Sequence, residues 1–249
     1  MEVATIVPTA FLPLVQDDNY HLCLAQLIDE DEAYTSFYTH AAEDGKFIIL
    51  DNGAAEGFMP PIKELYEKAL MINASELILP DKFFDTRGTL AASQTAMNFL
   101  KRKGYEGSVM AVPQGKSLQD WVDCALEMSS WGVECIGAPK NLVHVGGPYG
   151  RLKALESFRE RSNIEVDVHL LGCWQDPREI HLIYRRIKGI RGVDSRMSYL
   201  YTSENLQLDP RLYEKPSKKD IDFSDTAVDK ELLRENIERW RGYCYGWLH

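Results

Sequence analysis

Short apolar runs recur along the chain, and each closes on a polar residue or a glycine: Phe47–Asp51, Glu76–Asp81, Ser108–Gln114, Glu134–Gly137, Val166–Gly172 and Gly189–Asp194. Runs of this length, bounded by turn formers, predict buried strands. Between them lie segments with helical periodicity. Ile62, Leu65, Tyr66 and Ala69 share one face behind Pro60 and Pro61, and similar patterns cover Leu90–Lys103, Leu118–Trp131 and Ile180–Ile187. The alternation predicts repeated βα units, and hence an α/β fold of the (β/α)8 TIM-like barrel type, in which strand C-termini converge on one mouth. Val3–Val7 supplies a first strand. The region around Leu22–Ile28 reads as helical and the stretch after it as irregular. The eighth strand is not located by pattern: Tyr199–Thr202 could supply it, but a helix continuing from Arg196–Leu200 fits equally well.

A chain of 249 residues with 45% apolar content suits one such barrel. The division expected is a barrel over residues 1–209 and a tail over 210–249. In that tail the charged, proline-containing Pro210–Lys219 links to a helix over Lys230–Arg241, whose Leu232, Leu233, Ile237 and Trp240 form a stripe for docking outside the barrel. The net charge of −10 excludes a broadly basic surface for coating nucleic acid, so a polyanionic substrate would need a local grip. Cys23, Cys124, Cys135, Cys173 and Cys244 are odd in number and embedded in apolar runs, which predicts buried free thiols in a reducing compartment. With no signal-peptide pattern and no run long enough to span a bilayer, a cytoplasmic protein is expected, in a host cytoplasm if the source is viral.

Several of these runs together resemble the tRNA-guanine transglycosylases, and among them the short virus-associated relatives that place 7-deazaguanines into DNA. The likeness covers roughly residues 45–200. Val112-Pro-Gln-Gly115 followed by Cys135-Ile-Gly-Ala138 is similar to that family's Val-Gln-Gly and Ile-Gly-Gly segments. His169-Leu-Leu-Gly172 followed by Pro177-Arg-Glu-Ile180 is similar to its Tyr-Leu-Met-Gly strand and the helix start after it. Gly189-Ile-Arg-Gly-Val-Asp-Ser195 falls on its nucleophile segment, with Ser195 where the family has cysteine. Leu50-Asp-Asn-Gly53 and Leu79-Pro-Asp81 resemble its Asp-Ser-Gly-Gly and Ala-Phe-Asp-Glu.

The resemblance implies exchange of guanine in DNA for a 7-substituted 7-deazaguanine, such as the 7-cyano base. Asp194 would be the nucleophile that captures C1′, and Asp51 the general acid and then base. Asp81 would accept from the donor edge of guanine, while Gln114 and the backbone at Gly137 and Ala138 address O6, with Leu171 and Gly172 completing the base site. Taken singly, Asp51, Asp81 and Asp194 could each be no more than a helix cap. His169 is expected to be a hydrogen-bonded core residue facing the barrel wall, His144 a phosphate or ligand contact, and Trp174 a stacking or rim residue. Arg191 and Arg196 flank Asp194 and are candidates for phosphate contacts. The family's zinc site needs a Cys-x-Cys-x-x-Cys cluster and a later His, whereas only Cys244 and His249 follow Asp194, so neither a structural zinc nor any cofactor is expected. Without a counterpart of the family's tRNA-gripping parts, DNA, single-stranded or with a flipped base, is the expected polymer ahead of tRNA. A non-catalytic nucleobase-binding partner subunit is the alternative from another class. The oligomeric state stays open, a homodimer included.

Overall fold

The structure, a computed structural model, describes residues 1–173, 177–209, 211, 215–217 and 220–247. Eight strands run parallel: β1 (Glu2–Thr5), β2 (Tyr20–Leu24), β3 (Phe47–Asp51), β4 (Glu76–Ile78), β5 (Ser108–Ala111), β6 (Cys135–Pro139), β7 (Asp167–Leu171) and β8 (Ile190–Ser195). Their ladder is continuous from β2 through β3 and onward to β8 and β1, and β1 lies beside β2 at the seam. Helices alternate with the strands: α1 (Glu32–Glu43), α2 (Ile62–Met71), α3 (Thr86–Lys103), α4 (Leu118–Ser129), α5 (Leu142–Gly146), α6 (Gly150–Arg161), α7 (Arg178–Arg186), α8 (Met197–Thr202) and α9 (Lys230–Tyr245). The result is a (β/α)8 TIM-like barrel. No helix among the described residues is long and apolar enough to cross a membrane, and all five cysteines are buried and unbridged.

Two early elements depart from the sequence reading. Tyr20–Leu24, which overlaps the region around Leu22–Ile28 expected to be helical, is the missing strand, and all five of its residues are buried. Its near-continuous apolar run satisfies both periods, but the barrel needs a strand with two buried faces here. Tyr20, Leu22 and Leu24 point inward, while His21 on the opposite face meets the rings of Phe37 and Tyr38 at 5.7 and 5.9 Å. The supposedly irregular stretch is α1. Asp31 caps it by accepting from Tyr34 N–H at 3.0 Å, a device that stabilises a helix by about 1 kcal/mol. Tyr34 and Tyr38 are buried beneath it, each contributing about 1.5–3 kcal/mol for a side chain of this size. The Tyr34 hydroxyl also accepts from Leu24 N–H at 2.9 Å, which ties helix to strand. Tyr199–Thr202 belongs to α8 and contributes no strand.

The tail helix α9 packs against α7, α8 and β1 and covers the outside of the barrel. Leu233, Ile237 and Trp240 are buried there, with Leu232 only half-buried at the margin. Asn236 fastens it. The Asn236 side chain accepts from Leu208 N–H at 2.7 Å and donates to Thr202 Oγ1 and the Leu206 carbonyl, both at 2.9 Å. A fully buried amide satisfied on both ends fixes one docking register, because any slip would strand its polar atoms.

Polar side chains also fill the barrel interior towards its N-terminal end. Arg191 forms a two-pronged ion pair with Glu76, which is wholly buried, and its guanidinium lies 5.1 Å from the Phe47 ring and 5.9 Å from that of Tyr20. Strand β8 is irregular at this point: Val168 pairs with Ile190 but His169 with Gly192, so Arg191 is an extra residue opposite β7. The bulge lets two consecutive residues face inward. A side chain on Gly192 would strike the Tyr20 ring at 2.7 Å, while Arg191 Nε reaches the Tyr20 hydroxyl at 3.2 Å.

Candidate active site

At the opposite end, the strand C-termini surround a cavity of about 290 Å³. Its walls are mainly apolar, drawn from Ile6, Leu22, Leu24, Ile78, Val112 and Leu171. Its polar atoms come from Asp51 at the end of β3 and Asn52 after it, Asp81 after β4, Gln114 after β5, Lys140 and Asn141 after β6, and Asp194 with Arg196 at the end of β8. Seven sequence-predicted residues, Asp51, Asp81, Gln114, Leu171, Gly172, Asp194 and Arg196, thus line one space. Convergent polar groups in an apolar concavity are the general form of a small-ligand site.

Asp194 is nearly buried, at 7% exposure. Its Oδ1 accepts from Gly172 N–H at 2.9 Å and stands 3.1 Å from His169 Nε2. Among the described residues Oδ2 has no hydrogen bond, so one carboxylate oxygen is anchored while the other is left for a ligand. Gly172 can present its N–H because its φ of +71° is a left-handed conformation, and an added Cβ would meet the Lys140 side chain at 2.8 Å. His169, expected to face the barrel wall, instead faces Asp194. Strand register explains the reversal, since His169 pairs with Gly192, two residues before Asp194 and on the same face of β8.

Asp81 sits in an amide clamp. Asn52 Nδ2 donates to its Oδ1 at 2.8 Å and Gln114 Nε2 to its Oδ2 at 2.7 Å. Asn52 is fixed by a second donation, to the Leu79 carbonyl at 2.7 Å, and by accepting from Ala54 N–H at 2.9 Å. Burial pushes the Asp81 carboxyl up to about 6, against the opposing effect of the two amide hydrogen bonds. Each oxygen retains lone-pair capacity, so the ionised group can still accept from a ligand. Asp51 borders the same cavity, and its Oδ2 accepts from Gly53 N–H at 3.2 Å.

Other expected contacts are displaced. Gly137 and Ala138 lie within β6 below the cavity, and Pro139, Lys140 and Asn141 occupy its edge in their place. Gly137 has a packing role, because a Cβ there would meet Leu171 at 2.7 Å and Val112 at 3.0 Å, both wall residues. Arg191 is committed to Glu76 inside the barrel, so it does not border the mouth and cannot bind phosphate there. Arg196 does reach the mouth, where its Nη2 is 3.2 Å from Oδ1 of the exposed Asp220. His144 is exposed on α5 and away from the cavity. Ser195 is buried, its hydroxyl accepting from Met197 N–H at 3.1 Å. Trp174, Lys218, Lys219 and His249 lie outside the described residues.

No family model matches the chain, and no curated protein matches it. The site therefore rests on its own geometry. Several of its residues were not singled out from sequence. Asn52 and Lys140 stand next to or shortly after named positions, and the strand-end rule could have found them. Phe83 lies two residues beyond Asp81 and is half exposed. Phe223 comes from the tail, where no sequence spacing announces it, and its carbonyl accepts from Thr9 N–H at 3.4 Å across the mouth.

Proposed function

We propose that this protein exchanges guanine in DNA for a 7-substituted 7-deazaguanine by double displacement through Asp194, as its resemblance to the tRNA-guanine transglycosylases implies. The observation that best supports this reading is the sharing of one cavity by the two chemistries it requires. One is a buried carboxylate with a single oxygen open to ligand, Asp194. The other is a carboxylate and amide pair, Asp81 with Gln114, suited to the donor edge of guanine.

In the first displacement Asp194 Oδ2 bonds to C1′ as the C1′–N9 bond breaks, and the departing base takes a proton from Asp51. In the second, N9 of the incoming base attacks C1′, the C1′–Oδ2 electron pair returns to the carboxylate, and the base proton passes to Asp51. Asp81 accepts from N1–H and N2–H₂ in both steps. Adenine would leave that carboxylate without its donors, a loss of roughly 1–3 kcal/mol per unpaired group. A base inside a duplex cannot reach such a cavity, so the DNA would be single-stranded or flipped. Arg196 at the mouth would address a backbone phosphate, in competition with Asp220.

The test is mass analysis of nucleosides from DNA and from tRNA, each incubated separately with the protein and candidate 7-deazaguanines. New deazaguanine nucleoside is expected from DNA. Its appearance only from tRNA would overturn the choice of polymer and keep the chemistry, and its absence from both would overturn the chemistry.

A further inference from the structure

From the nearly buried oxygen of Asp194 a line of polar side chains runs down through the barrel to its opposite end. Asp194 Oδ1 is 3.1 Å from His169 Nε2, His169 Nδ1 is 2.8 Å from the Tyr20 hydroxyl, and Arg191 Nε is 3.2 Å from that same hydroxyl. Arg191 in turn grips Glu76 with both terminal nitrogens. His169 and Glu76 are completely buried and Tyr20 is 3% exposed, so no solvent route replaces a missing partner.

Donor and acceptor counting gives this line one direction. A guanidinium only donates, so the Tyr20 oxygen accepts from Arg191. The Tyr20 proton then needs an acceptor, and among the described residues the only one within reach is His169 Nδ1. Burial pushes the Tyr20 phenol up from its ordinary value, so it keeps that proton. An Nδ1 that accepts carries no hydrogen, and the ring hydrogen must sit on Nε2, pointing at Asp194.

We infer that the Glu76–Arg191 pair, acting through Tyr20, locks His169 as the Nε2–H tautomer and makes it a positioning residue for Asp194, a role that rests on the proposed transglycosylase reading. In the first displacement the two donors, Gly172 N–H and His169 Nε2–H, hold Oδ1 and turn Oδ2 towards C1′. Once Oδ2 is bonded to C1′, Oδ1 is the carbonyl oxygen of the glycosyl ester. As the second displacement returns the C1′–Oδ2 electron pair to the carboxylate, charge grows on an oxygen that already has two donors aimed at it. The opposite tautomer would turn a lone pair towards that charge, and the ester would be a poorer leaving group.

The tautomer is read by 15N NMR of the histidine-labelled, full-length protein, which needs no substrate and no variant. The expected spectrum has a buried imidazole with unprotonated Nδ1 and protonated Nε2. A hydrogen on Nδ1 in the wild-type protein overturns the inference. Tyr20→Phe removes the phenol hydrogen and should allow the Nδ1–H form to appear. With labelled guanine and a single-stranded DNA oligonucleotide, the same variant should lower kcat by roughly 10–100-fold, the range for loss of the outer partner of a functional histidine, with KM for the base unchanged. Unchanged kcat in a variant whose tautomer has shifted would overturn the positioning role. Absence of exchange by the wild-type protein, with the expected NMR pattern intact, would count against the transglycosylase reading and leave the tautomer lock standing.

Discussion

At its N-terminal end the barrel neutralises its charge from within: Glu76 meets Arg191, Ser108 adds a hydrogen bond to the carboxylate at 3.2 Å, and the rings of Phe47 and Tyr20 cover the guanidinium. At the mouth, Asp81 and Asp194 are held by backbone N–H, side-chain amide and imidazole groups, with no Lys or Arg ion pair to either among the described residues. Both arrangements are costly to build in a low-dielectric interior. The first ends with opposite charges cancelled and nothing left over. The second orients Asp81 and Asp194 without a Lys or Arg partner among the described residues, so their remaining hydrogen-bond capacity is available to a ligand. Burial of charge alone therefore does not mark a functional site in this molecule, and the partner type is what separates the two ends.

The comparison is most directly broken at the mouth. Asp194→Asn should leave the fold intact and reduce base exchange by roughly 10⁴–10⁶-fold, the range for removal of a catalytic nucleophile. It should also abolish any trapped protein–DNA adduct on denaturing gels. Asp51→Asn should slow turnover by about 10²–10⁴-fold, as loss of an essential proton transfer does, without lowering the melting temperature. Near-parental rates in both variants would return these residues to the role of strand-end caps.

At the other end the expected loss is of stability. Arg191→Met leaves Glu76 buried and uncompensated, at a cost of about 3–5 kcal/mol in urea unfolding, whereas the Glu76→Leu, Arg191→Met double variant should recover much of it. Equal losses in the single and double variants would mean that the ring contacts, and not the charges, carry the effect.

Asp81 offers the finest contrast, because its raised carboxyl acts on folding and on ligand in opposite senses. A carboxyl near 6 when folded and near 3.8 when unfolded favours the folded state below the lower value, and that contribution is lost as pH rises through about 6. Donors on a guanine edge need the ionised form, so base affinity should rise over the same interval. Calorimetric titration of guanine between pH 5 and 8 should show that increase. Asp81→Asn should flatten it and weaken binding by roughly 5–150-fold, equivalent to the 1–3 kcal/mol of an unpaired buried group.

Much of the barrel was legible because a strand followed by a helix leaves two different periodicities in sequence, and seven strands carry the first plainly. The eighth did not, since Tyr20-His-Leu-Cys-Leu24 is apolar at spacings that suit a helix as well, and only closure of the sheet decides between them. Helix α1 was hidden by Thr35, Ser36 and Thr39, which blur its polar face, although Tyr34, Phe37, Tyr38 and Ala41 fall at helical spacing behind the Asp31 cap. In the site, Asp51, Asp81, Gln114 and Asp194 lie at or just after strand ends around the cavity. Gly137 and Ala138 fell short because β6 continues to Pro139. Arg191 was misplaced for a deeper reason: a one-residue bulge changes which way a side chain points, and nothing in the local sequence declares it. His169 depended on that same register.

The amide clamp at Asp81 has a kinetic corollary. On the proposed reading, the leaving guanine and the incoming deazaguanine present the same donor edge, and a cavity of about 290 Å³ is at the small end of ligand sites. The two bases must therefore occupy the clamp in turn. Turnover would follow a ping-pong pattern, with parallel double-reciprocal plots. Free guanine would act as a competitor of the incoming base, so that accumulated product slows each further round of modification.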